Sequence, residues 1–276
     1  VPSAPPLRHA VVTGAGSGIG AAVAQALAAD GCVLTLLGRR ADALRAVCDT
    51  LAPVPPAARS SDPGAATQGG PPVGHGIAVA DITNETAVRH ALVQAVAERG
   101  PALLLVNNAG QAVSQPFLKT DAAHWQALLD VNLMGAVHCT QALLPGMLAA
   151  GWGRVVNVAS TAALTGYAYV TAYCAAKHAL LGFTRALALE VAAKGVTVNA
   201  VCPGYTDTPL LAGAVGNIVA KTGAHEHDAR ATLARHNPQG RLVQPAEVAD
   251  TVRWLCAAGS AAIHGQAIAV AGGEIL

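Results

Sequence analysis

The sequence predicts an α/β fold, a doubly wound parallel sheet with helices on both faces, and three observations carry that expectation. Short β-branched or apolar runs alternate with longer helical patterns from one end of the chain to the other, the rhythm of parallel strands joined by helical crossovers. Those runs are apolar along their whole length rather than every second residue, as strands covered on both faces must be. Apolar residues make up 53% of the 276 positions and charged residues 12%, enough for a large core.

The first strand, residues 10–13, runs into Thr13-Gly-Ala-Gly-Ser-Gly-Ile-Gly20, after which AAVAQALAA reads as a helix. Glycines at such a junction let the backbone approach a pyrophosphate, and the free N–H groups and positive dipole end of the new helix face the anion. A glycine-rich run alone says little. With a strand before it and a helix after it, at the head of an alternating chain, it predicts a dinucleotide site built from Thr13, Gly14, Ser17, Gly18, Ile19 and Gly20. The second strand, 33–37, ends at Gly38-Arg39-Arg40, with no acid at the tip to bond the adenosine ribose hydroxyls. Arg39 suits charge-assisted bonds to the extra phosphate of NADP, so NADP(H) is the favoured cofactor and NAD(H) is kept open. The alternative is that Arg39 and Arg40 simply begin a solvated helix.

Residues 52–75 are dense in Pro, Gly and Ser and lack any period, which predicts a surface insertion. The third strand, 76–79, leads to Asp81, placed to accept a hydrogen bond from an adenine amino group, and to Ile82. The fourth, 103–107, ends in Asn107-Asn-Ala-Gly110, so that Asn108, Ala109 and Gly110 would line the floor of the cofactor crevice. The fifth, 155–159, delivers Ser160 at its end. The helical run that follows carries Tyr173-Cys-Ala-Ala-Lys177, whose spacing stacks phenol and ammonium on one face. A phenol titrates near pH ~10 when unperturbed, and a fixed cation nearby lowers that value. Taken alone, such a pair is as readily an ordinary exposed lysine beside a tyrosine. Cys174 is one helical step, about 100°, away from Tyr173 and reads as packing. The sixth strand, 197–201, precedes Pro203-Gly204. Residues 204–240 then mix polar and apolar positions at helical spacing around Leu210, Leu211, Ile218 and Val219, a segment able to fold over a ligand. A seventh strand, 267–270, closes the set.

Bulk properties exclude several function classes. A net charge of +1 without Lys/Arg runs offers no footprint for nucleic acid. The six cysteines are scattered without C-x-x-C pairs, as packing thiols of a reducing compartment are, which points to the cytoplasm. The ten histidines include no H-E-x-x-H pattern, so no metal site is expected. No apolar run reaches the roughly 18 uninterrupted residues of a membrane span, and residues 1–8 are Pro-rich rather than signal-like. A surface poor in charge fits subunits that cover one another, so a homo-oligomer is expected.

Thr13-Gly-x-x-x-Gly-x-Gly20, Asn107-Asn-Ala-Gly110, Asn132, Ser160, Tyr173-x-x-x-Lys177 and Pro203-Gly204 occur in the order seen in short-chain dehydrogenases/reductases. The chain resembles that family from its first strand to Gly272-Gly273, departing from it in the insertion and in the substrate loop. The resemblance implies a single Rossmann-like domain over residues 1–276 with a seven-stranded parallel sheet, assembled as a tetramer or dimer. It implies that Tyr173 is the general acid in reduction and the base in oxidation, that Ser160 holds the substrate oxygen, and that Lys177 depresses the tyrosine pKa and bonds the nicotinamide ribose. Asn132 would anchor a water linking the lysine to solvent, and Thr206 and Thr208 would touch the nicotinamide carboxamide. The expected pocket lining is small or apolar (Ala162, Leu164, Leu210, Leu211), which suits an apolar or 3-oxoacyl ketone. Ala149-Ala-Gly-Trp-Gly153 lacks the basic residues of members that dock an acyl carrier protein, which leans toward CoA esters or free small molecules. Three alternatives stay open: an NAD-dependent alcohol or 3-hydroxyacyl-CoA dehydrogenase, an epimerase or dehydratase on the same fold, and a catalytically silent cofactor-binding subunit.

Overall fold

The computed structural model describes residues 8–54 and 74–275. The 52–75 insertion therefore lies almost wholly outside the described residues. Seven strands, β1 (His9–Thr13), β2 (Val33–Gly38), β3 (Gly76–Val79), β4 (Ala102–Asn107), β5 (Gly153–Val158), β6 (Val196–Pro203) and β7 (Ala267–Val270), form one parallel sheet in the order β3-β2-β1-β4-β5-β6-β7. Every strand expected from the sequence is present, with edges moved by at most two residues. The β1, β2, β4, β5 and β6 strands are buried almost throughout, as their uninterrupted apolar runs require.

Nine α-helices accompany the sheet among the described residues: α1 (Gly18–Ala29), α2 (Ala41–Cys48), α3 (Glu85–Arg99), α4 (Ala122–Leu129), α5 (Gly135–Ala149), α6 (Thr171–Val191), α7 (Pro209–Thr222), α8 (Glu226–Ala234) and α9 (Pro245–Cys256). One group, α1 with α9, packs on β1, β2, β5 and β6; a second, α3 with α5, packs on β3, β4 and β5, while α6 lies on β6. The strand order reverses between β1 and β4, and in such sheets the ligand crevice opens beyond the carboxyl ends of the strands at that point. Thr13 and Asn107 end those two strands.

Two features aim the helices that flank the crevice. A buried polar ladder joins β4 and β5 to α5 and α6: Asn107 Nδ2 donates to Asn157 Oδ1 (2.9 Å) and Thr140 Oγ1 (3.2 Å), and Asn157 Nδ2 donates to Thr184 Oγ1 (2.8 Å). Between α4 and α5 the backbone passes through a π turn, Asp130–Met134, which carries Asn132. The stretch Ala122–Ala149 is long and apolar enough to cross a membrane by length and composition, although His124, Gln126, Asp130 and Asn132 break its apolar run. Here its second half packs on β4 and α3, and Pro145 and the π turn interrupt it. Residues 204–240 do form helices, α7 and α8, joined by a small core of Leu211, Val215, Ala229, Leu233 and Leu242. Thr208 caps α7 with Pro209 at its first turn, a start signal legible in the sequence. An ion pair from Arg230 to Asp207 ties α8 to the segment after β6.

Candidate active site

The crevice is built first from Thr13. Its Oγ1 accepts the backbone N–H groups of Asn108 (3.0 Å) and Ala109 (2.9 Å), while Asn108 Nδ2 donates to the carbonyls of Thr13 (2.9 Å) and Gly14 (3.3 Å). The ends of β1 and β4 are thereby laced together. Gly14 has φ +65, and a Cβ there would lie 2.8 Å from the Ala109 Cα. A Cβ on Gly20 would lie 2.5 Å from both the Gly14 carbonyl oxygen and Asn108 Nδ2. Ser17, the residue before α1, makes no side-chain cap bond, which leaves the first N–H groups of that helix available to an anion. Cradle and free donors together fit a pyrophosphate. Thr208 closes the cradle from the opposite side, 3.1 Å from where a Gly18 Cβ would stand, and Ile19 packs on the main core.

At the adenosine end Arg39, with its side chain 73% exposed, pairs with Asp81 at 3.7 Å. The other Asp81 oxygen accepts the Thr83 N–H (3.0 Å) and hydroxyl (2.8 Å), and these bonds, chiefly the backbone one, hold its pKa below the usual value. Ile82 is buried against Gly135, and its carbonyl accepts from His138. Its side chain is thus occupied by packing.

Ser160, Tyr173, Lys177 and Asn132 gather at the far end of the same crevice. Ser160 follows β5 and caps a 3-10 turn, Thr161–Ala163, its Oγ accepting the Ala162 N–H at 3.1 Å. Tyr173 and Lys177 share one face of α6, with Nζ 5.7 Å from the ring centroid. Lys177 is buried and donates to the Val158 carbonyl at 2.9 Å. Asn132 donates to the carbonyls of Gln111 and Leu128 (2.9 Å each) and accepts the Gln111 N–H (3.2 Å). Its Oδ1 and the Lys177 ammonium both lie against Gly110, at 2.9 and 3.5 Å from a Cβ built there.

The electrostatics differ from the sequence expectation. Burial pushes the Tyr173 phenol up to about 12, and the group that pulls it back is the Ser160 hydroxyl, not Lys177. Burial also brings Lys177 down to about 8. The ammonium faces the ring and the Val158 carbonyl, so desolvation outweighs its field at the hydroxyl.

Beyond β6, Gly204 N–H bonds the Val270 carbonyl (3.1 Å) and Pro203 pairs with Val270 across the sheet. Thr206 turns its hydroxyl onto the Gly204 carbonyl (2.9 Å), and Thr208 onto the Thr206 carbonyl (3.3 Å). The expected apolar lining is only partly present. Leu211 is taken into the α7–α8 core, and Leu164 faces a groove between α6 and β7 with Leu189 and Ala267. Beside the Ser160 turn the fold gathers Thr161, Tyr167, Tyr205, His236 and Glu274, a cluster of polar and aromatic groups that sequence reasoning did not foresee. Their meeting joins residues more than a hundred positions apart, and no local motif announces it.

A family model described as "Enoyl-(Acyl carrier protein) reductase" matches residues 14–274. A D-beta-hydroxybutyrate dehydrogenase of Cupriavidus necator is 35% identical over 260 residues, 94% of each chain. A variant of actinorhodin polyketide ketoreductase solved with NADPH superposes with a TM-score of 0.86 at 32% identity, covering 99% of both chains. The L-sorbose reductase of Gluconobacter frateurii, complexed with NADPH and L-sorbose, does so with a TM-score of 0.84 at 28% identity, covering 97% of this chain and 96% of that one. With the crevice, the Ser160/Tyr173/Lys177 group and these likenesses together, the chain belongs to the short-chain dehydrogenase/reductase family and is an oxidoreductase of the carbonyl/alcohol couple.

Proposed function

We propose that this protein reduces a ketone with NADPH, the carbonyl oxygen lying between the hydroxyls of Ser160 and Tyr173. The observation that carries the reading is the gathering of Ser160, Tyr173 and the buried Lys177 at the far end of the glycine cradle, where one carbonyl oxygen can meet both hydroxyls. Pyrophosphate would rest on Gly14, Ser17, Gly18, Ile19 and Gly20, the adenosine phosphate on Arg39, adenine beside Asp81 and Ile82, and the nicotinamide end among Asn108, Ala109, Gly110, Pro203, Gly204, Thr206 and Thr208. When bound, NADPH supplies the hydride. Tyr173 donates its proton to the carbonyl oxygen and Ser160 donates a hydrogen bond to the same atom. Lys177, cationic at neutral pH with a pKa of about 8, bonds the nicotinamide ribose and stabilises the charge left on the phenol. Asn132 holds Gln111 and the π turn in place beside that ammonium.

Two of the relatives named above act on oxygen-bearing carbons of acyl or polyketide chains, which supports an apolar or 3-oxoacyl ketone as the substrate class. We read the chain as one cofactor-binding unit, with residues 204–240 as the wall over the substrate. The low share of charged residues, 12%, favours a homo-oligomer, and the free thiols favour the cytoplasm. A panel of 3-oxoacyl-CoA esters, aryl ketones, steroids and ketoses with NADPH and NADH tests substrate and cofactor together. Tyr173→Phe is expected to lower turnover by about 10³-fold while NADPH fluorescence still reports binding. Turnover near wild type would refute the role of the phenol.

A further inference from the structure

Where the Ser160 hydroxyl sits is set by the 3-10 turn Thr161–Ala163 that it caps. That turn is tied down from outside. Thr161, the residue after Ser160, is 3% exposed, and its Oγ1 lies 2.8 Å from the Tyr167 hydroxyl oxygen. The Tyr167 hydroxyl in turn bonds Oε1 of Glu274, in the segment after β7. A carboxylate oxygen only accepts and the phenol has one proton, so Tyr167 donates to Glu274 and Thr161 donates to Tyr167. Burial, and then the carboxylate, raise the Tyr167 pKa, so the phenol keeps the proton that makes the bond. Glu274 is itself anchored. Its backbone N–H bonds the Ala271 carbonyl (3.2 Å), and its Oε2 is wedged against Gly204, 2.7 Å from where a Cβ would stand. Oε2 is buried and has no hydrogen-bond partner among the described residues. A half-satisfied buried carboxylate costs stability, and an apolar side chain would fill the same space without that cost. The one bond this carboxylate makes leads to the Ser160 turn.

We infer that Glu274 is a positioning residue, which fixes the Ser160 turn through Tyr167 and Thr161 from the segment after β7. The inference rests on the ketone-reductase reading and adds to it a residue that acts through Ser160 rather than on the substrate. The phenol–carboxylate bond is charge-assisted and directional, and it ties the turn to a segment held by the sheet edge. Displacing a reacting group by about 1 Å costs up to about 10²-fold in rate, so a slack turn shows in kcat before it shows in binding.

The test measures kcat, KM and NADPH affinity with acetoacetyl-CoA and with whichever ketone of the panel above is turned over fastest. Glu274→Met, which keeps much of the volume and removes the acceptor, is expected to lower kcat by about 10-fold and to leave KM and NADPH affinity within about two-fold. Glu274→Gln keeps an acceptor oxygen and is expected to recover most of that loss. Tyr167→Phe cuts the chain by a single oxygen; it is expected to match Glu274→Met, and the two changes together to cost no more than either. In Ser160→Ala, where the hydroxyl to be positioned is gone, adding Glu274→Met is expected to cost nothing further. A kcat loss of the same size in that background, or full activity in both Glu274→Met and Tyr167→Phe, overturns the inference. Hydrogen exchange in the NADPH-loaded protein reads the tie without turnover: the amides of residues 161–165 are expected to exchange about 10-fold faster in both variants. Faster exchange, in a protein whose wild type reduces no ketone of the panel, overturns the reductase reading alone; turnover by the wild type with exchange unaltered in the variants overturns this inference alone.

Discussion

Replacing Thr13 by valine tests the joint on which the cofactor crevice rests. Thr13 is 2% exposed, and its hydroxyl oxygen accepts two backbone donors, from Asn108 at 3.0 Å and Ala109 at 2.9 Å. Valine matches threonine in shape and supplies no acceptor, so both N–H groups lose their partner at the junction of β1 and β4. An orphaned buried donor costs about 1–3 kcal/mol, and two give about 2–6 kcal/mol. Asn108 and Ala109 are only half-buried, so water relieves part of this and the lower half of that range, about 2–4 kcal/mol, is expected. Thr13→Ser keeps the oxygen and loses one methyl group, which costs about 1 kcal/mol. Urea denaturation followed by circular dichroism separates the two, and NADPH titration of each variant reports whether the crevice opens. If Thr13→Val unfolds within about 0.5 kcal/mol of wild type, or if serine is as damaging as valine, the hydrogen-bonded joint is not what holds these strand ends.

Three further outcomes follow from the same geometry. Gly20→Ala forces a Cβ to within 2.5 Å of the Gly14 carbonyl and the Asn108 amide; a loss of about 1–3 kcal/mol in stability and of NADPH binding is expected, and a variant that binds normally would contradict the close approach. Arg39→Asp is expected to weaken NADPH binding by about 10-fold or more and to spare NADH, read by fluorescence titration with both; an unmoved preference makes this exposed arginine a bystander. Lys177 titrates at about 8 in the fold against 10.5 in the open chain, so between those values the unfolded state binds more protons and stability rises with pH, by about 3 kcal/mol in all. Tyr173, raised from 10.0 to about 12, acts oppositely above pH 10, where the folded state holds the extra proton. The buried thiols Cys32, Cys139, Cys202 and Cys256, raised from 9.0 to about 11 or 12, lower stability above pH 9 in both proteins, so the lysine is read from the difference: between pH 8 and 10 wild type should gain stability relative to Lys177→Met, and parallel pH profiles would show that the lysine is not the group responsible.

The Arg39–Asp81 pair shows what strand-end reading can reach. From the sequence, Arg39 stands where an acid often does and Asp81 follows the next strand; the parallel pairing of β2 with β3 brings the two side chains together, so their neighbourhood follows from strand order alone. Tyr173 and Lys177 were equally accessible, because a four-residue step on a helix leaves little freedom in where two side chains point. Their pKa values were not. Sequence spacing places a cation near a phenol, but how deeply the pair is buried, and whether the ammonium faces the hydroxyl or the ring, depends on how α6 lies against β6 and the Ser160 turn.

The order of strands and helices, the glycine cradle and the Ser160, Tyr173 and Lys177 side chains were determined by local pattern, since periodicity, caps and short spacings act within a few residues. The burial of Lys177, the withdrawal of Leu164 and Leu211 from the pocket, and the Tyr167–Glu274 bond were decided only in three dimensions. Each arises where segments distant in the chain compete for the same space, and no stretch of sequence contains the neighbour that wins.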